Sequence, residues 1–161
     1  MPVLQIKPQR WMCAVTSLAM ALDMSVESVI DEIGHDGSDI IFPLLNEPKC
    51  RRGYHSQELI KQAWQHGFAM TPIELFPETL SMDQTIRRRV WTEEECWERF
   101  TTVVGSTRGI LEGRGMSCLH AVYNHYGTIY DPDGYEYEYS QEECERRQFY
   151  ASRLWIFTEV A

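Results

Sequence analysis

Apolar residues recur at helical spacing near the start of the chain and at strand spacing near its end. Val15, Leu18, Ala19 and Leu22 stand at i, i+3, i+4 and i+7, which predicts a buried helix beginning at Met12 or Cys13. Val26, Val29, Ile30 and Ile33 repeat the pattern, with Ser25 placed to cap the start and Gly34 to end it. Gly37, Pro43, Pro48 and Gly53 mark His35 to Tyr54 as an irregular loop. Ser56 is placed to cap a third helix carrying Leu59, Ile60, Ala63 and Trp64, with Gly67 as its stop. Phe68 to Leu75 predicts a short strand in which Pro72 argues for an edge or a break. Thr92 and Glu95 form a capping box, and Trp91 and Cys96 occupy the staple positions of a helix running to about Phe100.

From Arg108 the period changes. Gly109–Glu112, Leu119–Asn124, Thr128–Asp131, Tyr135–Tyr139 and Arg153–Thr158 all read as strands. Helices first and antiparallel strands later predict an α+β fold, with the N-terminal helices packed on a C-terminal antiparallel sheet. Neither a repeat nor a linker divides residues 1–161, so one domain is expected.

Composition narrows the function classes. With 15 basic against 24 acidic residues, the formal net charge is -9, the wrong sign for a nucleic-acid surface. The one basic run, Arg87-Arg88-Arg89, reads as a solvated patch. Apolar runs such as Leu154-Trp-Ile-Phe157 fall far short of a membrane span, and Met1–Arg10 lacks the apolar core of a signal peptide. Cys13, Cys50, Cys96, Cys118 and Cys144 are odd in number and form no CxxC. The expectation is a cytoplasmic protein with reduced thiols and no membrane or nucleic-acid partner.

Candidate chemistry begins with the hairpin Leu119-His-Ala-Val-Tyr-Asn-His-Tyr-Gly-Thr-Ile-Tyr-Asp131. A turn at His125-Tyr126 sets His120 directly opposite Asp131, with Cβ atoms about 4.5–5.5 Å apart. A turn at Tyr126-Gly127 makes the pair diagonal, at about 7–8 Å, on the same face. Either register sets an imidazole beside a carboxylate, which holds a general base in one tautomer and one orientation.

Cys13 is the nucleophile such a base could serve. At a helix start, unpaired N–H groups and the positive end of the dipole favour the thiolate. Attack on a carbonyl creates an oxyanion, for which the Cys13 backbone N–H and an upstream side-chain amide, Gln9 or Gln5, are natural donors. Cys118 is a rival thiol without a helix dipole. His35, Asp36, Asp39, Cys50 and His55 fit no standard metal spacing, and His120 with His125 does not form HExxH. His55 could instead line a substrate cleft. Asp131-Pro-Asp133-Gly reads first as a turn.

The order Cys–His–Asp, the early helical cysteine and the Gly-Arg-Gly-Met-Ser-Cys-Leu-His-Ala-Val…Ile-Tyr-Asp-Pro segment resemble papain-like cysteine peptidases. Within them, the chain is most similar to the small bacterial group that cuts double-glycine leaders of bacteriocins. The resemblance covers Gln9–Leu22 and Ile110–Pro132. It implies a papain-like α+β fold with Cys13 as nucleophile, His120 as base and Asp131 as orienting residue. The family's oxyanion glutamine stands six residues before the cysteine, where this chain has Lys7; Gln9 is assigned that role instead. Ala14 replaces a frequent glycine. The implied activity is hydrolysis of a peptide or isopeptide bond in a peptide or protein substrate, without a cofactor. Acyl transfer, glutamine deamidation and a non-enzymatic binding role on the same fold are the alternatives.

Overall fold

The spacing that predicts the first helix produces it. α1 (Cys13–Leu22) buries Val15, Leu18 and Ala19 completely, and Asp23 closes it in the left-handed region at φ 54°. The computed structural model describes residues 1–39, 53–116 and 119–160. Ser25 caps α2 (Val26–Ile33) by accepting the Ser28 N–H, and Gly34 ends it at φ 95°. The cap of α3 (Ser56–Gln65) is His55, not Ser56. Its ring accepts the Gln57 N–H while Glu58 reaches back to the His55 N–H. This assigns His55 a structural role at the helix start.

β1 (Phe68–Glu74) follows, then a small hairpin of β2 (Glu78–Leu80) and β3 (Arg87–Arg89), all of whose residues are exposed. Thr92 caps α4 (Glu93–Ser106), which continues past Phe100 because Val104 still faces the core. β4 (Arg108–Arg114), β5 (Leu119–His125), β6 (Thr128–Asp131) and β7 (Tyr135–Glu138) come next. α5 (Gln141–Arg147), which the hydrophobic pattern does not signal, and β8 (Tyr150–Glu159) complete the order.

Six strands form one antiparallel sheet in the order β1-β8-β4-β5-β6-β7. Pro72 sits in β1 at the sheet edge, where a missing N–H is tolerated. Alternate residues of the central strands feed two cores. Ile110, Ala121, Tyr123 and Tyr130 meet α1 on one side. Leu111, Val122, Ile129 and Leu154 meet Phe100, Val104, Cys144 and Phe149 on the other. Burial on both faces explains why these strands read as nearly continuous apolar runs. Gly109 and Gly113 let β8 approach β4: an added Cβ would meet the Trp155 carbonyl at 1.9 Å or the Tyr150 carbonyl at 2.0 Å.

The β5–β6 hairpin takes the second of the two anticipated registers. Tyr123 pairs with Tyr130 and His125 with Thr128, leaving Tyr126-Gly127 as the turn. Both turn residues have positive φ, 52° and 94°, the requirement of the tight turn that matches strand twist. Asn124, wholly buried, fixes that choice. Its amide donates to the Val104 and Thr107 carbonyls at 2.9 and 3.0 Å, and its oxygen accepts the Gly127 N–H at 2.9 Å.

Candidate active site

α1 runs beside the first half of β5. Cys13 Sγ lies 3.9 Å from the Leu119 carbonyl, and one turn later the Ser17 hydroxyl reaches the Ala121 carbonyl at 3.1 Å. Ser17 also bonds the Cys13 carbonyl at 2.8 Å, so one buried hydroxyl ties the cysteine's backbone to the histidine's strand. The start of α1 carries neither a side-chain cap nor a first-turn acid. Its N–H groups therefore favour an anion at Cys13 without competition from a neighbouring carboxylate.

His120 and Asp131 occupy the diagonal relation that the hairpin register imposes. The His120 Nε2–H donates to Asp131 Oδ1 at 2.9 Å, and both residues are buried. Asp131 is itself held: the same oxygen accepts the Asp133 N–H at 2.9 Å, and its carbonyl accepts the Gly134 N–H at 2.8 Å. Pro132 keeps Asp131 extended at the end of β6, and the turn that follows supplies these donors. The Phe149 ring stands edge-on to the imidazole, 5.3 Å between centroids, and limits its rotation.

Burial alone would lower the pKa of His120. Burial is the largest single influence, but the hydrogen bonds to Asp131 and Cys13 and the charges of both together outweigh it and push the ring up to about 10. With Nε2 committed to Asp131, Nδ1 is the nitrogen left for Cys13. The arrangement favours an imidazolium beside Cys13.

Cys13, His120 and Asp131 are thus brought together. Gln9 is exposed, and its carbonyl is fixed by the Met12 N–H at 3.0 Å. The Gln5 amide is occupied elsewhere, donating to the Met24 carbonyl at 2.7 Å and accepting the Val26 N–H at 3.0 Å. Cys50 and Cys118 lie outside the described residues. Among the described residues, the loop groups weighed as metal ligands do not converge on a site: His35 pairs with Glu58 and accepts the Gly37 N–H, Asp36 accepts the Ser38 N–H, and Asp39 is exposed.

Sequence reasoning left Asp133 as a turn residue and gave Lys7 no role. In the structure Asp133 Oδ2 is 3.8 Å from His120 Nε2, and Asp133 Oδ1 pairs with the Lys7 ammonium. Among the described residues, His120, Asp131 and Asp133 are compact enough to hold a cation, with donor atoms within 4.8 Å of one another. The Lys7 ammonium and the proton favoured on His120 already supply positive charge there and oppose a metal ion.

No protein-family model matches the sequence, and no curated protein does. Among solved structures, the chain is similar to a double-glycine motif protease from an AMS/PCAT transporter in complex with the leader peptide. The TM-score is 0.52 at 13% identity, over 99% of this chain and 93% of that one. The fold is α+β and papain-like.

Proposed function

We propose that this chain is a single-domain cysteine peptidase or isopeptidase acting through a thioester on Cys13. The observation that carries the reading is the buried His120, bonded to Asp131 at 2.9 Å and electrostatically coupled to Cys13. The Cys13 thiolate attacks a carbonyl carbon, and the N–H groups at the start of α1 receive the oxyanion. His120 protonates the leaving amine. It then takes a proton from water as the water attacks the thioester, returning the free thiolate and imidazolium. Asp131 holds the ring in one orientation throughout. The Gln9 amide, four residues before the cysteine, is the proposed side-chain donor to the oxyanion. The leader peptide bound by the similar protease supports a peptide or protein substrate for this chain. The chemistry needs no cofactor and suits a reducing cytoplasm.

A brief iodoacetamide pulse near neutral pH followed by peptide mapping tests the site without knowing the substrate. Cys13 should be labelled first, and His120→Ala should slow that labelling while leaving the protein folded. Labelling of Cys118 first would reassign the nucleophile. Uniform labelling, unaffected by His120→Ala, would replace the enzyme with a binding protein on the same fold. Peptide-library digestion in 18O water then separates the acceptors: hydrolysis places the isotope in a new carboxylate, whereas transfer to an amine does not.

A further inference from the structure

The segment before α1 is strapped across the turn that carries Asp131. The Lys7 N–H donates to the Pro132 carbonyl at 3.0 Å, and the Lys7 ammonium pairs with Asp133. Two residues earlier, the Gln5 side chain clamps the Met24–Val26 corner between α1 and α2. The strap therefore joins the helix carrying the thiol to the turn carrying the carboxylate.

Its charge has a more specific consequence. His120 Nε2 faces two carboxylates, Asp131 Oδ1 at 2.9 Å and Asp133 Oδ2 at 3.8 Å. They are not equivalent: Asp131 is buried, whereas the Asp133 side chain is 42% exposed and the Lys7 side chain 20% exposed. An unpaired Asp133 would compete for the ring proton and add a second negative charge beside it. We infer that Lys7 and Asp133 are positioning residues: the ammonium neutralises Asp133, so that Asp131 alone orients and charges His120. This rests on the reading of His120 as the base for Cys13.

The groups that set the ring's charge come from every side. Cys13 faces it from α1, Asp131 from β6, and Asp133 from the following turn. Burial, and after it the charge of Asp131, suppresses the ionisation of Tyr137 on β7, and the non-ionising Phe149 packs on the His120 ring. Lys7 reaches this cluster through Asp133, whereas Arg147, paired with Glu143, lies over the Tyr137 ring at 3.8 Å.

The test is a set of charge substitutions read on the His120 ring itself by NMR titration of histidine-labelled protein, with the signal assigned by its loss in His120→Gln. Lys7→Met leaves Asp133 unpaired and should raise the ring's titration point. Asp133→Asn leaves the ammonium unpaired and should lower it. Partial exposure puts each shift at about half to one pH unit. The double variant Lys7→Met/Asp133→Asn should return to the wild-type value, as should Lys7→Arg alone. Opposite shifts that cancel are the signature of charge balance; a purely structural strap would disturb both single variants in the same direction and leave the double variant no better. Same-sign shifts, or a double variant that retains the Lys7→Met shift, overturn the inference. The double variant and Lys7→Arg keep the charge balance, so the prediction can be judged if one single variant fails to fold. Peptidase assays on the same proteins separate the two proposals: cancelling shifts in a chain that cleaves no peptide would remove the activity and leave the pairing standing.

Discussion

Replacing Asn124 by alanine removes one side chain that holds three backbone groups. Two are carbonyls near the end of α4, Val104 and Thr107, and the third is the Gly127 N–H in the β5–β6 turn. Each buried hydrogen bond contributes about 1 kcal/mol net, so the three give roughly 3 kcal/mol. Thr107 keeps the Tyr126 N–H as a partner at 2.9 Å, and the half-buried Gly127 N–H can reach water. The Val104 carbonyl is the group stranded in the core, which adds about 1 kcal/mol. A loss of about 4 kcal/mol should lower the melting temperature by roughly 10 °C in a domain of this size. Urea denaturation gives the free energy and circular dichroism the melting point. Asn124→Asp should be at least as damaging, because it deletes both donors and aims a carboxylate at two carbonyls. The same variants should impair turnover, since the turn sets the diagonal relation of His120 and Asp131. A loss below about 1 kcal/mol with an unchanged denaturant slope would refute the claim that Asn124 fixes the register.

Three further outcomes follow from the structure. Asp131→Asn should leave Cys13 alkylatable but impair turnover, and it should bring the titration of His120 down from about 10 by more than one pH unit. Because the folded ring is held above its ordinary value of 6.5, the stability it contributes is full below pH 6.5 and lost as pH rises toward 10. Urea midpoints across that window should fall in the wild type, and Asp131→Asn should complete its loss at lower pH; identical profiles would show that Asp131 does not hold the proton. Gly113→Ala should disrupt β4–β8 pairing beside His120, since its Cβ would meet the Tyr150 carbonyl at 2.0 Å, and hydrogen exchange of β8 amides should rise sharply.

The sequence carries the helices and strands that bury a regular apolar stripe, because spacing and burial report the same constraint. α1 begins at Cys13 and the late strands fall close to their anticipated places for that reason. α5 escapes the pattern: of Gln141–Arg147 only Cys144 is buried, so no stripe exists, and the signal present is Ser140 capping the Glu143 N–H. β2 and β3 are exposed throughout and leave no alternation to read. The hairpin register turns on Asn124 and Gly127, whose partners lie on α4 and in the turn itself. Cys13, His120 and Asp131 are legible from order and local geometry. Lys7 and Asp133 meet only through space, by a path that local periodicity does not describe.

The position of β8 bears on the timing of events during synthesis. This strand is made after β4, β5, β6 and β7, yet it lies in the sheet between β1 and β4. Until it inserts, β1 has no place beside β4, and β4 lacks one of its two neighbours. Cys13 waits as well, because its contact at Leu119 lies 106 positions downstream. A chain made only as far as α1 therefore carries a thiol without its imidazole, and the proposed nucleophile meets its base only after β5 has been made.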